Sequence, residues 1–217
     1  HSLKDGNYDM IPTPFASLNE KIKGFQKGEL ILIAARPGMG KTTLALQIAI
    51  ESAPLKKHLF VSLDNDESWF SDKVISQLEA QSFGDIRTGK ISEKIDFIEM
   101  VDNATRKVSE REFDTLFDTR SVRSIEKQLE TKHHDLLIID WFQFLTCEIS
   151  DPRLDLIEVV RELKRIAKEK NIAIIITGHL SWMLEERGGD KRPNLSDIRC
   201  PEEVEEYFDK VFMLYRP

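Results

Sequence analysis

The sequence predicts an α/β fold with a mostly parallel central sheet and helices on both of its faces. Three observations carry that expectation. Several short runs are apolar at every position, as strands buried on both sides require. Stretches with helical spacing lie between them. The two kinds of segment alternate along the chain, which is the pattern of a covered parallel sheet.

Residues 24–28 (GFQKG) read as a turn leading into 29–35 (ELILIAA), an apolar run bounded by Gly28 and Pro37. Residues 40–52 have helical spacing, with Leu44, Ile48 and Ile50 among the apolar positions. A second strand is expected over 58–63, then helices over 67–81 and 93–111. A short strand over 114–117 and an amphipathic helix over 121–132 follow. Residues 135–139 (DLLII) form another buried strand. Residues 154–170 form a strong helix with Leu156, Val159, Val160, Leu163 and Ile166 on one stripe. Residues 171–177 (NIAIIIT) form a further strand, 188–192 a polar loop, and 210–215 the last strand.

Composition sets the outer bounds. A chain of 217 residues suits one sizeable core. No stretch approaches the roughly 20 apolar residues of a membrane span. Cys147 and Cys200 make no framework or CxxC pair, so a reducing, cytoplasmic setting is expected. The net charge of −7 argues against a broad nucleic-acid-binding face, though it permits a narrow basic strip. Residues 1–10 are expected to be disordered or tag-derived, with one domain over 11–217.

The central motif is Ala35-Arg36-Pro37-Gly38-Met39-Gly40-Lys41-Thr42-Thr43. It matches the phosphate-loop pattern GxxxxGK[ST], with the small residue Ala35 in place of the first glycine. Gly38 and Gly40 let the backbone curl until its N–H groups face phosphate oxygens. The following helix adds its positive dipole end. Lys41 is expected to reach the β- and γ-phosphates of ATP, and Thr42 to ligate Mg2+. The second element is Leu136-Leu-Ile-Ile-Asp140, four apolar residues that deliver a carboxylate at a strand's C-terminal end. Asp140 is expected to hold the magnesium through its water shell.

Several segments, in order, resemble the C-terminal, RecA-like ATPase domain of DnaB-type replicative DNA helicases. Residues 11–19 (IPTPFASLN) are similar to that family's entry segment, and 34–49 (AARPGMGKTTLALQIA) to its phosphate loop. Residues 60–64 (FVSLD) are similar to its second strand, and 86–89 (IRTG) to a short signature. Residues 138–144 (IIDWFQF) resemble its IDYLQL strand. Residues 184–187 (LEER), 190–193 (DKRP) and 196–199 (SDIR) follow at the family's spacing. The resemblance implies a homo-hexameric ring with ATP between subunits and single-stranded DNA through the centre. A primase or helicase loader is an implied partner.

The departures from that pattern matter. Asp64 stands where the family carries the catalytic Glu. It is one methylene shorter, and a misplacement of about 1 Å can cost on the order of 10²-fold in rate. Asp64 is read as the water-orienting base; the alternative is a solvated acidic turn with Asp66 and Glu67. His179, in Gly178-His-Leu180, replaces the Gln of Ser-Gln-Leu. It is read either as the γ-phosphate sensor, with a charge that varies near neutral pH, or as a strand-end histidine satisfying backbone groups. Trp182 replaces an Arg and is expected to pack, with base stacking as the alternative. Residues 200–206 (CPEEVEE) replace a Glu-Ser-Gly-Ser-Ile-Glu-Gln segment and read as an exposed helix start. The chain ends at Pro217, before the family's arginine-finger strand. Such a finger is worth about 10³ to 10⁵ in rate, so this stretch alone is expected to bind ATP and hydrolyse it slowly.

By resemblance, two loops face the DNA. Residues 187–199 carry Arg187, Lys191, Arg192 and Arg199; residues 146–154 carry Glu148, Asp151 and Arg153 and are not basic. The leading expectation is therefore a replicative helicase motor. The alternatives are a RecA-like ATP-binding regulator that has lost unwinding, or, less well supported, a P-loop transferase.

Overall fold

The computed structural model describes residues 10–54, 56–93, 96–188 and 190–216. The segment expected to be disordered or tag-derived lies outside these except for Met10. In chain order the elements are α1 (Ala16–Ile22), β1 (Leu30–Ala35), α2 (Lys41–Ser52), β2 (His58–Ser62), α3 (Glu67–Leu78), α4 (Phe83–Arg87) and α5 (Phe97–Ser109). Then follow β3 (Phe113–Phe117), α6 (Val122–Thr131), β4 (Leu136–Asp140), α7 (Pro152–Glu169), β5 (Ala173–His179), α8 (Met183–Glu186) and β6 (Lys210–Leu214). The six strands form one sheet in the order β3-β2-β4-β5-β1-β6, and every pairing is parallel.

Strand alternation divides the apolar residues between two cores. Leu30, Leu32 and Ala34 of β1 face α6 and α7, together with Leu137 and Ile139 of β4. Ile31 and Ile33 face α2 and α3, together with Leu136 and Ile138. Burying each such aliphatic side chain is worth about 1.5–3 kcal/mol, so a sheet covered twice selects apolar residues at consecutive positions.

Helix starts are set by aspartates. Asp66, Asp96 and Asp151 each accept backbone N–H bonds at the first turns of α3, α5 and α7. These caps explain where the predicted limits shift. The helix expected from residue 93 starts at Phe97 behind Asp96. The one expected from 154 starts two residues earlier, with Pro152 in its first turn behind Asp151. The helix expected to reach residue 81 stops at Leu78. The strand expected to stop at 177 continues to His179, because Ala35 of β1 is in register with it. Residues 202–207 form a 3-10 helix with Val204 buried and Glu202, Glu203 and Glu206 exposed. The short helices α1, α4 and α8 have no periodic signal in the sequence. Both thiols are free, and burial raises Cys147 to about 11 and Cys200 to about 12, which keeps them protonated.

At the end of the sheet opposite the phosphate loop, His58 opens β2 fully buried. Its ring lies edge-on to Phe113, 6.5 Å between centroids. Burial lowers its pKa to about 4, opposed by a hydrogen bond involving the Ala49 backbone. The folded state therefore holds His58 neutral, whereas the unfolded chain takes up a proton below its ordinary pKa of 6.5. Stability attributable to this residue is intact above that value and falls as the pH drops through the window down to 4. The expected loss is about 3 kcal/mol by pH 4. Urea titrations at several pH values check this: a His58→Leu variant should show a shallower acid-side decline than the parent.

Candidate functional site

The parallel register brings the C-terminal ends of β1, β2, β4 and β5 together, which is where α/β sheets take ligands. Between β1 and α2 the chain curls through Gly38 (φ 75°) and Gly40 (φ 95°), both in the left-handed region that favours glycine. A methyl group added at either would meet nothing within 4 Å, so the constraint is backbone conformation and the space above the loop is open. Unlike α3, α5 and α7, α2 has no side-chain cap and no acid in its first turn. Its leading N–H groups and positive dipole end are thus left for an anion. Within the loop Met39 N–H donates to the Arg36 carbonyl (3.3 Å), and Pro37 and Gly38 are exposed. The Arg36 guanidinium donates to the Leu180 carbonyl (3.3 Å), tying the loop to the end of β5. The Thr43 carbonyl accepts from Gln77 of α3 (2.8 Å), which braces α2.

Lys41 is 7% exposed. Burial lowers its pKa, while Asp140 and Asp64 pull it back up. Asp140 is 2% exposed and ends β4. Thr42 Oγ1 donates to its Oδ2 (2.8 Å), and Thr177 Oγ1 donates to its Oδ1 (2.5 Å). Burial pushes the Asp140 carboxyl upward, opposed by these two hydroxyls and by Lys41. A hydroxyl and a carboxylate joined this way beside an uncapped helix start are hard oxygen donors. They fit Mg2+, which keeps several of its own waters.

Asp64 lies just past β2, exposed, and near enough for its charge to act on Lys41, Asp140 and His179. Asp66 is occupied in capping α3 through Trp69 N–H (2.7 Å), which leaves Asp64 as the acid facing the loop. His179 ends β5 with its ring stacked on Trp141, 4.0 Å between centroids and 20° between planes. Burial lowers its pKa to about 4, Lys41, Arg199 and Arg36 adding to the shift and Asp64 opposing it. This corrects the expectation of a charge that varies near neutrality: a neutral imidazole faces the site at pH 7.

The order β4-β5-β1 and the Thr42–Asp140 bond are what a RecA-like ATPase site requires. A sequence family described as DnaB-like helicase C terminal domain matches residues 10–217. The chain belongs to that family. It is 34% identical over 218 residues to the replicative DNA helicase DnaB of Buchnera aphidicola subsp. Schizaphis graminum, covering 95% of this chain and 46% of that protein. It is 31% identical to the DnaB of Helicobacter pylori, covering 95% of this chain and 43% of that one. The chain thus spans about half the length of the curated relatives it matches. Among solved structures, a DnaB-like replicative helicase described with its primase interactions superposes with a TM-score of 0.89 at 26% identity. That match covers 98% of this chain and 53% of the other. The ATPase domain of G40P superposes with the same TM-score and identity, covering 98% and 78%.

In this DnaB-like domain the loop 187–199 leaves the same sheet edge. Lys191, Arg192 and Arg199 are exposed. Arg187 is committed to an ion pair with buried Asp197 and to the Arg192 carbonyl (3.5 Å), so it braces the loop. Arg199 N–H donates to the His179 carbonyl (3.0 Å). In the loop 146–154 two of the three charges are spent locally: Asp151 caps α7 and Arg153 pairs with Glu203 (2.6 Å), while Glu148 is exposed. Trp182, expected to pack, is 59% exposed beside Met183 at 64%. It follows the strand end, where Ser181 N–H is bonded to the Asp197 carbonyl (2.7 Å).

Thr177 was not among the residues singled out from the sequence. Its one signal is a polar residue closing an otherwise apolar run, AIIIT, on a strand beside β4. Thr177→Val keeps the shape and removes one of the two hydroxyls on Asp140. Expected is a loss of about ten- to hundred-fold in Mg2+-dependent nucleotide affinity, the range for groups that orient a metal ligand. Titrating Mg2+ against a fluorescent ATP analogue measures it, and Thr177→Ser should stay near the parent.

Proposed function

We propose that this domain is the ATP-dependent motor of a replicative DNA helicase, hydrolysing Mg-ATP and coupling hydrolysis to movement on single-stranded DNA. The observation that carries the reading is the buried Asp140 carboxylate bonded to Thr42, at the foot of an uncapped helix that also presents Lys41. The N–H groups of Gly38 and of residues 40–43 cradle the triphosphate, and Lys41 draws charge from its β- and γ-oxygens. Thr42 and Asp140 would hold Mg2+, which would supply positive charge against the same oxygens. Asp64 orients a water and takes a proton from it as the water oxygen bonds to the γ-phosphorus, the bond to the β–γ bridging oxygen breaks and ADP leaves. His179 donates one hydrogen bond to the terminal phosphate from a neutral ring.

The exposed Lys191, Arg192 and Arg199 supply non-specific phosphate contacts to the strand, and the backbone bond from Arg199 to His179 joins that loop to the nucleotide. Assembly as a hexameric ring, with ATP between subunits and with a primase or loader as partner, belongs to the same reading. So does a cytoplasmic setting; among the described residues no helix is long and apolar enough to cross a membrane. A second reading, an ATP-binding regulator without unwinding, is favoured by the short Asp64, the engaged Arg187 and the exposed acids of 202–206.

Four measurements test these readings. Lys41→Ala should weaken ATP binding about ten- to hundred-fold, the range for losing a charged hydrogen bond; unchanged affinity removes both readings. Asp64→Ala should retain nucleotide binding and lose turnover by about 10²-fold or more. Single-stranded DNA should accelerate hydrolysis by the parent protein, and ATP binding without stimulated turnover favours the regulator. Lys191→Ala and Arg192→Ala should each flatten the salt dependence of DNA binding by about one unit of log–log slope.

A further inference from the structure

A run of planar groups leads from the loop after β3 to the end of β5. The Arg120 guanidinium lies 5.0 Å from the centroid of the Phe144 ring. Phe144 lies 4.2 Å from Trp141 at 31°, and Trp141 lies 4.0 Å from His179 at 20°. The packing leaves little freedom. A Cβ at Gly178 would sit 2.8 Å from Phe142 Cε1 and 3.1 Å from a Leu32 methyl, so only glycine admits Phe142 beneath this strand end. Phe142 is fully buried and adjoins Trp141 in the chain. On the other side, Arg199 N–H holds the His179 carbonyl (3.0 Å).

An imidazole turns about a broad, roughly two-fold outer torsion, so its backbone alone does not decide which ring nitrogen faces a ligand. A neutral ring has one donor and one acceptor nitrogen, and only the donor suits a phosphate oxygen. Parallel contact with a large aromatic face fixes the plane of the ring, which narrows that torsion to two orientations related by a half-turn. We propose that Trp141 is a positioning residue for His179: its indole sets the plane of the imidazole so that the donor nitrogen meets the terminal phosphate of ATP. This rests on the reading of His179 as the group that touches that phosphate.

The test is a double-mutant cycle on ATP turnover in the full-length protein with saturating single-stranded DNA. Trp141→Ala should lower kcat on the order of ten- to hundred-fold, the scale of a small misplacement, with affinity for a non-hydrolysable ATP analogue retained. Trp141→Phe keeps a ring face and should recover most of that loss. In a His179→Ala background, Trp141→Ala should cost nothing more. A full additional loss in that background overturns the proposal and assigns the effect to another neighbour such as Asp140. His179→Ala with parental turnover is a different result, which removes the sensor reading and this proposal with it. If Trp141→Ala does not fold, Trp141→Leu, apolar but without a ring, runs the same cycle: no further loss in the His179→Ala background supports the proposal, and a full further loss overturns it.

Discussion

Asp140 holds a carboxylate where water hardly reaches, and the arrangement of the surrounding strand ends follows from the cost of that placement. A buried charge without partners is expensive enough that the group would protonate instead. Here Thr42 from α2 and Thr177 from β5 donate to its two oxygens, and the Lys41 ammonium lies near. Each partner also has a place in the site. Lys41 and Thr42 open the uncapped helix that follows the phosphate-loop motif, and Thr177 belongs to the strand that ends in His179. The interaction that makes the buried acid tolerable is thus the one that assembles the pocket.

Sheet order turns this local bond into a coupled device. Because β5 is inserted between β4 and β1, the Asp140 strand and the phosphate-loop strand are not neighbours, and the end of β5 faces both. Past that end the chain goes into the loop 187–199, which folds back so that Arg199 and Asp197 bond to the backbone of His179 and Ser181. Two backbone hydrogen bonds thus tie the end of β5 to the loop that carries Lys191, Arg192 and Arg199.

The aromatic residues around His179 depart from the family pattern together. Trp141, Phe142 and Phe144 stand where the resembled strand reads Tyr, Leu and Leu, and Gly178 where it reads Ser. The short distance from a Gly178 Cβ to Phe142 makes one substitution depend on the other: the larger ring needs the missing side chain. Singly, each looks like loss of a motif. Together they are a repacked support for a histidine in place of a glutamine.

Much of this was legible in the sequence. Continuous apolar runs marked five of the six strands, since a sheet covered on both faces has only one solution at each buried position. The phosphate loop and Asp140 were legible because their chemistry demands particular residues at fixed spacing along one stretch of chain. The starts of α5 and α7 lie two to four residues from where spacing puts them, because capping aspartates look like any other polar residue until the helix exists. The roles of Thr177, Arg187 and Trp141 were hidden for a different reason. Thr177 meets Asp140 across two strands, Arg187 meets Asp197 by a loop closing on itself, and Trp141 meets His179 across 38 positions of chain. Sequence alone determined the class of fold and the place of the phosphate-loop motif in it, because both are written in local spacing. Which groups pack against Asp140 and His179 was decided only by tertiary packing, because that depends on strand order and on the space one side chain leaves for another.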